Sequence, residues 1–185
     1  NTTCGFAAPD RSMLSRSDFV QEQWRSSVEW RAVVRMADRL GEHLETPEMS
    51  TLLEAANQPG TSSALVQAAF LGEATELGFV DESRGLFAGY TSALRPDYYL
   101  PLADSGIILE VERGKTTINN MDLLDFWKCH ICEHAHYLFL MVPLALRQNP
   151  TMTPRREFAT VQRRLETFFR PDNYTNVRGL VLFGY

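Results

Sequence analysis

The sequence predicts an α/β domain in which helices flank a mixed β-sheet and a helical arm precedes the sheet. A chain of 185 residues with 44% hydrophobic and 22% charged residues is long enough to fill one core. Apolar residues recur every three to four positions in the N-terminal third, as in amphipathic helices. The period changes to two after Gly78, and strand-like segments then alternate with helix-like ones. We therefore expect a helical arm over residues 1–60, packed on an α/β core over residues 61–185.

The predicted arm contains two helices. Ser17 caps the first, a long helix whose apolar positions are spaced by three and four. These positions are Phe19, Val20, Trp24, Val28, Val34, Ala37, Leu40 and Leu44. Thr46-Pro47 supplies a cap and a first-turn proline for the second helix, which ends near Asn57. A Gln-Pro-Gly turn over residues 58–60 separates this arm from the core.

The predicted core alternates strands and helices. We expect helices over residues 62–77, 119–131 and 153–169, and strands over residues 86–92, 97–102, 106–112, 137–142 and 177–185. The first three strands follow one another closely, which permits antiparallel hairpins. Helices separate the later strands, which permits parallel pairing, so the sheet should be mixed with helices on both faces.

The second and third predicted strands carry three acidic residues. If Ala103 and Asp104 form the middle of a hairpin, Asp97 lies opposite Glu110. Side chains two positions apart on a strand share a face, so Glu112 joins the same side. The spacing therefore brings three carboxylates together on one face of the sheet.

Three like charges on one sheet face destabilise it unless something compensates for them. A hard cation does so, because Mg²⁺ prefers carboxylates, water and phosphate oxygens as ligands. Such a cation can also generate a hydroxide nucleophile and stabilise a leaving oxygen. The alternative is that Glu110 and Glu112 simply form the solvated face of an amphipathic strand.

These residues resemble a known family. Pro96-Asp97 and Glu110-Val111-Glu112 are similar to the two halves of the motif of the PD-(D/E)XK nuclease superfamily, which includes type II restriction endonucleases. The resemblance implies a restriction-endonuclease-like α/β fold and a metal-dependent endonuclease that hydrolyses phosphodiester bonds in double-stranded DNA. It also implies that Asp97, Glu110 and Glu112 bind Mg²⁺ or Mn²⁺.

The chain departs from the family pattern at Glu112, where the motif most often has lysine. The resemblance offers Lys115 or Lys128 as the replacement, and we favour Lys128 because some relatives carry the lysine on the following helix. Lys115 would point to the wrong face of a regular strand. The helix before the strands often carries an acid in this superfamily, and Glu73 matches it as a fourth, outer carboxylate.

Two further hypotheses compete with the nuclease. Because glutamate replaces the motif lysine, the chain could be a catalytically inactive DNA-binding or protein-interaction domain of the same fold. Cys129 and Cys132, with His134 and His136 nearby, also contain ligand types that bind zinc, and a regulatory zinc module is the third hypothesis. The spacing is poor for zinc, since all of these ligands lie in one segment.

The composition limits which binding partners and which cellular compartment we expect. A net charge of −5 argues against an indiscriminate electrostatic DNA binder, although residues 151–185 carry six arginines against three acids. Three cysteines and no long apolar stretch predict a cytoplasmic protein without a membrane partner. We also expect a homodimer formed through the first helix, because cutting both strands of a palindromic site requires two active sites related by a two-fold axis.

Overall fold

A computed structural model describes residues 14–81, 85–90, 94–114, 116–146, 149 and 151–185. The strands are β1 (Ser15–Val20), β2 (Val80–Asp81), β3 (Tyr98–Pro101), β4 (Gly106–Val111), β5 (Tyr137–Val142) and β6 (Gly179–Gly184). The α-helices are α1 (Val28–Leu44), α2 (Pro47–Ala56), α3 (Ser63–Glu76), α4 (Met121–Ile131) and α5 (Glu157–Glu166), with 3-10 turns at Glu22–Trp24 and Thr167–Phe169.

The six strands form one mixed sheet in the order β1-β6-β5-β4-β3-β2. β4, β5 and β6 run parallel, and α4 and α5 make the crossovers between them. β2, β3 and β4 form an antiparallel meander, while β1 pairs antiparallel with β6. The mixed α/β sheet flanked by helices is confirmed.

Helices cover both faces of the sheet. α1, α2 and α3 pack on the face that includes Ile107, Leu109 and Phe139, whereas α4 and α5 pack on the face that includes Ile108 and Leu138. Every residue of β4, β5 and β6 is buried, because each strand contributes alternate side chains to the two apolar layers. A polar side chain on β4 is therefore surrounded by protein whichever face it occupies.

The helix predicted to begin at Ser17 is wrong in its first part, because this segment forms the edge strand β1. All six residues of β1 pair with β6, and Phe19 and Val20 suit a strand as well as a helix. The helix begins instead at Val28, and the Ser27 side chain accepts a hydrogen bond from the Trp30 N–H. The predicted arm therefore contributes a strand to the sheet, and the domain boundary at residue 60 stays a prediction.

Two other segments differ from the sequence prediction. The strand expected over residues 86–92 is a turn where it is described, at residues 86–90, and residues 91–92 lie outside the described residues. The meander begins instead with β2, before Gly85, whose φ of +100° does not suit a strand. The helix expected from residue 153 begins at Glu157, because Arg155 first pairs with Leu146 in an isolated β-bridge.

No helix in the described part of the chain has both the length and the apolar character needed to cross a bilayer.

Candidate active site

The β3–β4 hairpin has the register that the sequence predicts. Tyr98 pairs with Leu109 and Pro101 pairs with Gly106, so that Asp97, directly before β3, continues the ladder opposite Glu110. The Asp97 N–H donates to Glu110 Oε2 at 3.1 Å. Asp97 Oδ2 in turn accepts from the Val111 N–H at 2.8 Å. The two acids are thus held together by the backbone of the hairpin.

Glu110 points to the sheet face that α4 covers. It alternates with Leu109 and Val111, which belong to the opposite apolar layer, and only 3% of its surface is exposed. Burying a carboxylate is costly unless a partner compensates for it. The side chain therefore needs a cation on the α4 side.

Lys128 supplies that positive charge. Its ammonium nitrogen lies 2.8 Å from Glu110 Oε1 and 2.9 Å from Asp125 Oδ1, and 3.5 Å from the backbone oxygen of Arg95. Only 9% of the lysine side chain is exposed. The structure thus places the favoured lysine of the sequence prediction beside Glu110. The other lysine, Lys115, lies outside the described residues.

Asp125 is the member of the cluster that the sequence analysis missed. It lies on α4 one turn before Lys128 and is fully buried. Asp125 Oδ1 contacts Lys128, whereas Asp125 Oδ2 has no ordinary hydrogen-bond partner. A signal was present in the sequence: Asp125 and Lys128 are three apart, with the buried Phe126 and Cys129 beside them, so polar residues lie on the apolar side of the helix.

Glu112 completes the cluster just after β4. Burial, the charge of Asp125 and a proton shared with Asp125 raise the pKa of Glu112 to about 8. Sharing a proton is the way in which two neighbouring carboxyl groups avoid mutual repulsion. At neutral pH Glu112 is therefore largely a neutral acid that donates to Asp125.

The other titratable groups of the cluster are also perturbed. Burial raises the pKa of Glu110 well above its usual range, with a further rise from Asp125, although Lys128 opposes both. Burial likewise raises the pKa of Asp97 and of Asp125, again against the effect of Lys128. Burial lowers the pKa of Lys128, but Glu110 and Asp125 reverse this and keep the ammonium charged.

A polar cleft of about 250 Å³ opens beside Asp97. Gln67, Asp81, Arg95, Pro96, Asp97 and Tyr98 line it. The α3 residue that reaches this cleft is Gln67, which donates to Asp97 Oδ1 at 3.4 Å. Glu73, the predicted outer carboxylate, instead contacts Arg39 on α1 at 3.0 Å. Glu73 lies six residues beyond Gln67 on α3, and its side chain forms part of the contact between α1 and α3.

The described residues contain no group of three His, Cys, Asp or Glu side chains arranged to hold a metal ion as they stand. In the carboxylate cluster the reason is visible, because the oxygens of Asp97 and Glu110 are already engaged by the hairpin backbone and by Lys128. The donor chemistry nevertheless fits a hard cation. The buried carboxyl groups of Glu110 and Asp125 supply oxygen atoms, which are the ligands that Mg²⁺ prefers.

The cysteines and histidines do not converge on a zinc site. Cys129 is fully buried, and its thiol donates to the Ala135 oxygen at 3.6 Å. His130 faces Thr175 through Nδ1, whereas His136 faces Ser105. Burial also raises the pKa of the Cys129 thiol well above its usual range, which disfavours the thiolate that zinc requires.

Comparison with solved structures finds a restriction endonuclease. The structure of restriction endonuclease BglII complexed with a DNA 16-mer matches over 92% of this chain and 77% of that chain, with a TM-score of 0.53 and 10% sequence identity. At this identity the likeness shows the fold alone, and it confirms the predicted restriction-endonuclease-like fold. No family model matches the chain, and no curated protein matches it.

Proposed function

We propose that the protein is a restriction-type, Mg²⁺-dependent endonuclease that hydrolyses phosphodiester bonds in double-stranded DNA. The observation that carries the proposal is the position of Lys128. Its ammonium contacts Glu110, which in turn contacts Asp97, at the end of the hairpin where the polar cleft opens. Acidic groups and one lysine beside a cleft are the groups that phosphodiester hydrolysis requires.

Each residue has a role in this proposal. Asp97 and Glu110 would hold Mg²⁺ or Mn²⁺, and Glu112 would either hold the metal or position the attacking water. Lys128 would stabilise that water or the negative charge that develops on the phosphate. A bound Mg²⁺ lowers the pKa of water and stabilises negative charge on oxygen. The likeness to an enzyme crystallised with DNA supports duplex DNA as the substrate.

Homodimerisation is part of the same proposal. Hydrolysing both strands at a symmetric sequence requires two copies of the site related by a two-fold axis. One copy would cut a single strand at each encounter.

Plasmid cleavage tests the function. Supercoiled plasmid incubated with the protein and Mg²⁺ or Mn²⁺ should be linearised, and chelation of the metal should stop the reaction. Asp97→Ala and Glu110→Ala should abolish cleavage. Asp104→Ala is the matched control, because Asp104 is an exposed acid in the same hairpin. Equal cleavage by wild type and by both site variants would reject the proposal.

The second candidate is an inactive DNA-binding or protein-interaction domain of this fold. Glu112 at the motif lysine position favours it, as does the engagement of the acidic oxygens with protein groups. Gel-shift and cleavage assays on the same DNA separate the candidates. Tight duplex binding that persists in Mn²⁺ without any strand cleavage would support this second candidate.

A further inference from the structure

The Lys128 ammonium sits between two carboxylates that come from different parts of the chain. Glu110 belongs to β4 and Asp125 to α4, and the nitrogen lies 2.8 and 2.9 Å from them. All three side chains are nearly or fully buried, so water screens their charges weakly. The lysine therefore occupies the point between the two carboxylates that a small cation would take.

Acidic groups outnumber basic groups around this point. Four carboxyl groups, Asp97, Glu110, Glu112 and Asp125, lie around one ammonium group, which contacts Glu110 and Asp125 directly. The carboxyl group of Asp125 contacts Lys128 through Oδ1 and shares a proton with Glu112, so a cation that binds this carboxyl group displaces both.

We propose that Asp125 is a further metal ligand of the site, and that Lys128 holds its place between Glu110 and Asp125 until a divalent cation enters. The inference rests on the proposed metal-dependent function and adds a ligand from α4 to the two from the hairpin. Metal binding then requires the Lys128 ammonium to leave both carboxylates. The released ammonium remains within reach of Arg95, which lines the polar cleft, and can face a phosphate there.

This arrangement makes the lysine and the metal competitors. The ammonium stabilises the metal-free protein, so the apparent metal affinity is lowered by the free energy of the two contacts that must break. Removing the ammonium should therefore tighten metal binding. Removing the Asp125 carboxylate in that background should weaken metal binding, because a ligand is lost. The change then reports on the metal alone, since no lysine contact is left for Asp125 to influence.

A double-mutant cycle on Mn²⁺ affinity, measured by isothermal titration calorimetry, tests the inference. We expect Lys128→Met to raise Mn²⁺ affinity by about tenfold. Adding Asp125→Asn to Lys128→Met should then lower affinity by at least about tenfold. The matched control adds Asp122→Asn, which removes the same charge one turn earlier on α4, and it should change affinity by less than about threefold. Equal effects of the two Asn changes would overturn the ligand role of Asp125.

If Lys128→Met does not fold, a crystal structure of the wild-type protein with Mn²⁺ decides whether Asp125 binds the metal. Anomalous density bonded to Asp125, with the lysine displaced, supports the inference. Manganese bonded to Asp97 and Glu110 with Lys128 still on Asp125 overturns it, as does the absence of manganese from the cluster. Plasmid cleavage is scored separately. Metal binding through Asp125 without DNA cleavage would reject the proposed nuclease function but would still support the metal site.

Discussion

Two polar clusters lie along the buried side of α4, and they differ in the basic groups that face their carboxylates. The first surrounds Lys128. The second lies where α4 and α5 begin, and contains Asp122, Glu157, Arg155 and Arg164. Asp122 and Glu157 are 0% and 1% exposed, so both clusters bury acids to a similar degree.

The second cluster balances its charges from the protein alone. Arg164 Nε lies 3.3 Å from Asp122 Oδ2, and Arg155 Nε lies 3.9 Å from Glu157 Oε1. Both acids also lie in the first turn of a helix, where the positive end of the helix dipole favours an anion. Two acids thus face two guanidinium groups, although neither acid accepts a hydrogen bond of good geometry.

If the proposed function holds, the difference separates acids with a structural role from acids that bind a metal. In the second cluster Arg164 also donates to the Thr117 oxygen and to Asn120, so its side chain ties α5 to the turn before α4. In the first cluster a single lysine lies among four acids and contacts two of them, and the proposed divalent cation would add positive charge there. Substitutions in either cluster test this contrast.

The largest expected effect is on catalysis at Glu110. Glu110→Ala removes a proposed metal ligand and leaves Lys128 with one carboxylate. We expect DNA cleavage to fall on the order of a thousandfold, which corresponds to ~4 kcal/mol. The measurement is the single-turnover rate on a linear duplex in saturating Mn²⁺. A loss smaller than about tenfold would place the chemistry elsewhere in the molecule.

The next effect is on stability at Lys128. Lys128→Met leaves the buried carboxylates without their cation, and breaking a buried ion pair in this way costs about 3 kcal/mol or more. Urea unfolding at pH 7.5 should show this loss in metal-free buffer. Added Mn²⁺ should restore much of it, since a ligand that binds only the folded state stabilises that state. A stability of the variant that does not respond to Mn²⁺ would contradict metal binding among these acids.

The third effect is the pH dependence that Glu112 imposes. The pKa of Glu112 is about 8 in the folded protein, against an ordinary value of 4.5. The folded state therefore holds the proton more tightly than the unfolded state, so stability from this group is fully present below about pH 4.5 and is lost as pH rises to about 8. Without metal, wild-type stability should fall across this window by on the order of 2–3 kcal/mol relative to Glu112→Gln. Parallel urea-unfolding curves of the two proteins at every pH would contradict the assignment.

The smallest effect is expected in the second cluster. Asp122→Asn keeps the shape of the side chain and its position at the start of α4, but loses its attraction to Arg164. We expect a loss of about 1 kcal/mol in the free energy of unfolding. DNA cleavage should be unchanged. A large loss of cleavage with little loss of stability would show that the second cluster also contributes to activity.

Parts of this site were predictable from sequence because they depend on local geometry. The hairpin register follows from the position of the Ala103-Asp104 turn, and that register alone places Asp97 opposite Glu110. The buried strand β5 and the helix α4 have the bounds that their apolar patterns predict. These features need no knowledge of distant parts of the chain.

Other parts depend on tertiary contacts. β1 has residues that suit a helix or a strand, and its pairing with β6 decides between them. The spacing within α4 places Asp125 beside Lys128, but it does not reveal that both meet Glu110, because that contact depends on how α4 packs on the sheet. The same holds for α3, where the orientation of the helix brings Gln67 to Asp97 and leaves Glu73 with Arg39.

The placement of β6 between β1 and β5 has a consequence for how the chain folds. Among the described strands β1 pairs with β6 alone, and Ser15 pairs with Gly184, 169 residues later in the chain. Contacts so distant along a chain form slowly and late. During translation the segment that becomes β1 therefore stays unpaired until β6 has been synthesised, and β5, once it has been synthesised, keeps an open edge until the same point. Nascent-chain aggregation should be greatest just before β6 emerges, and a chaperone that shields extended strands should suppress it.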